Sequence, residues 1–106
     1  MPLPILALPV ALHLIAAAAG GVPTLDVRPS CRAAAASEIE ATDRMLACVG
    51  SEQAARGLLA KNWTTYATAD RFRCVEQMMD FDPSYTELLT CLDMANDAAK
   101  LPAELY

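Results

Sequence analysis

Four cysteines constrain this chain more than any other feature. Cys31 and Cys48 have sixteen residues between them, and Cys74 and Cys91 again have sixteen. An even set at matched spacing in a chain of 106 residues reads as a disulfide framework, provided the chain leaves the reducing cytosol. Zinc competes poorly, because structural zinc sites use closely spaced ligand pairs such as Cys-x2-Cys and none is present. There is no Cys-x-x-Cys redox motif either.

The amino-terminal sequence supplies the route out. The first 25 residues carry no charged side chain, and an apolar run from Ile5 to Ala19 ends in Ala17-Ala18-Ala19 before Gly20-Gly21. Pro4 and Pro9 make it a poor membrane span, which wants about 20 apolar residues. A short apolar region followed by small residues is the pattern of a cleaved signal peptide, here residues 1–19. No Lys or Arg precedes the apolar run, so either the terminal amine serves as its positive end or the true start lies upstream. An uncleaved tether is the competing reading. A lipoprotein is not expected, because Cys31 follows Arg28-Pro29-Ser30 rather than the end of the apolar run. The expected organisation is residues 1–19 as signal, 20–29 as an extended segment and 30–106 as a helical disulfide-bonded domain, with no stable membrane span after cleavage.

Cleavage removes much chemistry. His13, the only histidine, goes with the leader, leaving no Ser-His or Cys-His pair and no imidazole base near neutral pH. The mature chain keeps the whole net charge of −5, which disfavours nucleic acid and anionic membranes. With 87 residues left, it buries only a modest share of its surface, so cross-links are expected to carry part of the stability.

Strand and hairpin signals are scarce, and helix signals are abundant. Pro29 or Ser30 opens a first helix through the alanines 33–36, and a turn follows over 37–42. A second helix is expected from Asp43 to Tyr66, with Met45, Cys48, Val49, Ala55, Leu59, Trp63 and Tyr66 on its apolar face and Gly50 as a kink or break. Thr68 is a candidate N-cap for a third, Ala69 to Met79, presenting Phe72, Val75 and Met79. Asp80-Phe81-Asp82-Pro83 is the clearest turn, and Ser84-Tyr85-Thr86-Glu87 matches a capping box. It opens a fourth helix running to Lys100, with Tyr85, Leu88, Leu89, Leu92, Ala95 and Ala99 as its stripe and Pro102 as its stop. The expected fold is therefore all-α, a small disulfide-stapled bundle of three to four helices. Composition leaves three cysteine connectivities open. Equal distances from the 37–42 and 80–83 turns favour Cys31 with Cys48 and Cys74 with Cys91, each stapling a helical hairpin at matching height.

Candidate chemistry is thin. Asp80 and Asp82 begin a calcium-loop pattern that fails at Tyr85 and Cys91, so a turn and cap explain them better. The methionines lack the clustering of a Cu(I) site and read as core. No metal, cofactor or catalytic residue is assigned. The acids lie at helical spacing among Arg and Lys, the habit of solvated faces. Asn62-Trp63-Thr64 is a formal glycosylation acceptor inside an expected helix. Trp63 and Tyr66, with Arg71 and Arg73 beside Cys74, are candidate partner contacts, although such aromatics are more often core.

At Trp63, Tyr66, Arg71 and Cys74, then Pro83 to Leu92, the sequence resembles an uncharacterised group of short exported alphaproteobacterial proteins with four cysteines; the likeness runs from Arg28-Pro29-Ser30-Cys31 to Met94-Ala95. It implies a bacterial envelope location. More distantly, Trp-x-x-Tyr followed by Arg and Cys is similar to the LprI-type lysozyme-inhibitor family of helical, disulfide-bonded periplasmic domains. That family places the arginine directly after the tyrosine, whereas here Arg71 and Cys74 come later, so no inhibitor residue carries over. The expectation is a small periplasmic or secreted non-enzymatic protein that binds an envelope or extracellular protein, with inhibition of a cell-wall hydrolase as one version. A carboxylate-dependent envelope enzyme and a cysteine redox protein are the alternatives.

Overall fold

The computed structural model describes residues 21–36 and 39–102. The signal-peptide expectation for residues 1–19 lies outside them, as do the middle of the first turn and the last four residues. Helix α1 (Arg28–Ala35), α2 (Ala41–Asn62), α3 (Thr68–Met78) and α4 (Tyr85–Ala98) make up the fold, with a 3-10 turn at Trp63–Thr65 and no strand among the described residues. The helices form a row. The α1 helix packs on α2, α2 on α4, and α4 on α3, so two hairpins meet through their second members.

Disulfides join Cys31 to Cys48 and Cys74 to Cys91, with Cα–Cα distances of 5.5 and 5.7 Å. Each ties the two arms of one hairpin, the connectivity favoured by equal distance from the turns. The core lies under the second hairpin and the carboxy-terminal half of α2, where Leu59, Val75, Leu88 and Leu92 are fully buried among Ala55, Trp63, Tyr66, Met78 and Tyr85.

The boundaries differ from the sequence reading for local reasons. The α1 helix opens at Arg28 rather than Pro29 or Ser30, because the Asp26 carboxylate accepts from the Arg28 amide (3.1 Å) and grips the same residue's guanidinium (2.8 Å). These hydrogen bonds hold the Asp26 carboxyl down at about 2. Helix α2 begins at Ala41 and runs through Gly50 without a break. A mid-helix glycine costs only about 1 kcal/mol relative to alanine, too little to end a helix that packs on both neighbours. Its last turn tightens into the 3-10 turn at Trp63–Thr65, so Tyr66 is extended chain rather than helix. Helix α3 buries Arg71, Cys74, Val75 and Met78, a stripe turned from the expected Phe72, Val75 and Met79. The Cys74 bridge sets that rotation and leaves Met79 half exposed. Thr68 does not cap α3: it is the first helical residue, and its hydroxyl accepts from the Arg71 guanidinium (2.9 Å). Helix α4 ends at Ala98, and Ala99 beyond it is exposed rather than part of the stripe.

Ahead of α1, residues 22–27 form a strap without regular secondary structure. Val22, Leu25 and Val27 pack on the core. The Tyr85 hydroxyl pins the strap at two points, accepting from the Leu25 amide (2.9 Å) and donating to the Pro23 carbonyl (3.0 Å). The Arg56 guanidinium covers the Tyr85 ring, 5.8 Å from its centroid. Ser30 donates to the Pro83 carbonyl (2.7 Å) and so ties α1 to the second turn.

Candidate functional site: the groove between the hairpins

Because α1 does not pack on α3, the row of helices leaves a groove between its outer members. Its volume is about 790 Å³, within the usual range for ligand clefts. Ala33 and Ala34 of α1 line one side, Met78 of α3 the other, with Phe81 at the rim and Cys48, Cys74 and Cys91 of the two bridges along the walls. Phe81 is 78% exposed, an unusual placement for the larger of the turn's side chains.

The floor holds the one feature that pattern reading did not single out. Glu52 of α2 is 5% exposed, and its carboxylate closes the amino terminus of α4. One oxygen accepts from the Ser84 hydroxyl (2.7 Å); the other accepts from the amides of Tyr85 and Thr86. Ser84 in turn accepts from the Glu87 amide (3.2 Å), as a capping box requires. The carboxylate facing the first free amides is thus Glu52's, reaching across from another helix, while Glu87 stays exposed. A negative charge at a helix amino terminus satisfies free amides and complements the dipole at once. The signal was present: Glu52 falls between Cys48 and Ala55 on the apolar face, at positions 48, 52, 55 and 59. An acid at an interior position needs donors, and α4 provides them.

The four candidate contact residues separate. Trp63, Tyr66 and Arg71 are interior, at 4, 6 and 9% exposure, the two aromatics within the core cluster, and Arg73 is exposed. The turn at Trp63–Thr65 brings both aromatics into the core cluster. The Tyr66 hydroxyl donates to the Asp93 carboxylate (3.0 Å), and burial together with that hydrogen bond pushes its phenol up to about 12. Arg71 stacks on the Trp63 ring at 5.6 Å, while the Trp63 Nε1 and Arg71 Nε hydrogens find no acceptor among the described residues. Arg73 pairs with Asp70 (2.8 Å), an exposed contact of small energetic weight. Asn62 of the glycosylation triplet donates its side-chain amide to the Leu58 carbonyl (3.2 Å).

Among the described residues no three His, Cys, Asp or Glu side chains gather where they could hold a metal ion. No helix among them is long and apolar enough to cross a membrane. Searches against protein-family models, characterised proteins and solved structures gave no match to the chain.

Proposed function

We propose that this chain is a small exported protein that works by binding another protein, and that the groove between its hairpins is the contact surface. The observation that carries the reading is the groove itself. Its walls are fixed by two covalent bridges, and a large aromatic ring stands exposed beside it. A rigid concavity loses little conformational freedom on association, which favours binding. Export supports the same reading, since the apolar leader and the bridges suit an oxidising compartment such as the periplasm or the medium.

The carboxylate nearest to enzymatic use, Glu52, accepts hydrogen bonds from three donors and is engaged in holding α4, which argues against a role as proton donor to substrate. All four sulfurs are closed in bridges, whereas a redox protein would keep at least one titratable thiol. Inhibition of a cell-wall hydrolase is the most specific version of the binding reading. Lysozyme turnover with and without micromolar purified protein tests it: a saturable fall in rate is expected, and an unchanged rate removes that version.

A further inference from the structure

The groove has one sign of charge. Asp82 and Glu87 lie along it with Glu52 beneath, and no Lys or Arg lines it among the described residues. Asp82 and Glu87 are exposed and have no ion pair among the described residues. A free helix amino terminus would attract an anion, but the α4 terminus is already filled from within by Glu52, so its dipole is answered and the rim stays acidic. Beside these carboxylates lie the exposed Ala33, Ala34 and Phe81, with the buried Met78 also lining the groove. An exposed aromatic is suited to anchoring an apolar side chain.

Resting on the binding reading above, we infer that the groove takes a basic amphipathic segment of a partner protein. Its apolar side chains meet Phe81 and the exposed α1 alanines, and its cations meet Asp82 and Glu87. An acidic or purely apolar partner leaves these two carboxylates repelled or desolvated without compensation.

The test uses the full mature protein and a synthetic amphipathic helix of lysine and leucine, with glutamine-for-lysine and glutamate-for-lysine counterparts. Binding is followed by amide NMR at low and high salt. Saturable shifts centred on Ala33, Ala34, Met78 and Phe81 are expected with the basic peptide only, weakening as salt screens the charges. D82N/E87Q weakens binding about three- to tenfold, and F81A about tenfold. D43N/D97N removes two exposed carboxylates outside the groove and retains wild-type affinity. Equal weakening by D43N/D97N, shifts scattered over the surface, or equal binding of the glutamine peptide overturns the proposal. All the substituted side chains are exposed, and an unchanged thermal midpoint shows that the variants fold. A second arm separates the two readings. If immobilised wild type and D82N/E87Q/F81A capture the same envelope protein equally, the groove assignment fails and the binding reading stands. If wild type captures none, the binding reading fails, while the peptide titration still judges the groove.

Discussion

The two hairpins carry the same cross-link at the same spacing, yet their interiors differ. Between α3 and α4 lie Val75, Met78, Leu88 and Leu92, each at most 5% exposed. Between α1 and the first half of α2, only Cys31 and Ala35 are buried, while Ile39 and Leu46 face solvent. A buried alanine removes far less apolar surface from water than a buried leucine. In the chain-entropy model each bridge, closing a loop of 17 residues, contributes about 3 kcal/mol by restricting the unfolded chain. That contribution supplements a packed interface in the second hairpin and stands nearly alone in the first. One wall of the groove is therefore held by packing and sulfur together, the other chiefly by sulfur.

The sharpest way to break this contrast is to remove side chains. Leu88→Ala is expected to lower the unfolding free energy by about 2–5 kcal/mol, and Leu46→Ala by less than about 0.5 kcal/mol, read from urea unfolding. Comparable losses would mean that the first hairpin has a core of its own.

Removing the bridges comes next. C74S/C91S is expected to cost about 3 kcal/mol and to lower amide protection throughout the bundle, because α4 touches every part of the core. C31S/C48S is expected to release α1 and the first turns of α2 into rapid hydrogen exchange while Leu59, Leu88 and Leu92 stay protected. Loss of protection everywhere in C31S/C48S would contradict the local account.

Glu52 joins the hairpins, so its replacement tests their coupling. Glu52→Ala is expected to cost about 3 kcal/mol by leaving the Ser84 hydroxyl and two α4 amides unpaired, and Glu52→Gln about 1–2 kcal/mol, both by thermal unfolding. An unchanged midpoint in both would show that water replaces the carboxylate at no cost.

The smallest effect concerns pH. The fold favours the neutral Tyr66 phenol, whose pKa is raised from 10 to about 12 by burial and then by Asp93. Its contribution is intact below pH 10 and lost as pH rises through about 12. Tyr66→Phe is expected to flatten the alkaline part of the stability profile; persistence of the full slope would assign it to other groups.

Helices, the second turn and bridge pairing were legible in the sequence because each rests on local rules: helical spacing, the Pro83 turn with its Ser84 cap, and equal arm lengths about a turn. Glu52 was obscured because its partners are more than thirty residues away, and spacing on one helix does not say which helix terminus it meets. Trp63, Tyr66 and Arg71 stand close in sequence like a contact patch, and the 3-10 turn buries the two aromatics while the rotation of α3 buries Arg71. The groove had no sequence signal at all, since it follows from which helices do not touch.

Intact-mass analysis of the native protein recovered from envelope and medium, with and without alkylation, puts the account at risk in one step. The expected result is a chain starting within a few residues of Gly20, no alkylated cysteine and, after digestion, disulfide-linked peptides joining Cys31 to Cys48 and Cys74 to Cys91. A folded chain recovered from the cytosol with its leader attached and all its thiols open to the reagent would contradict it.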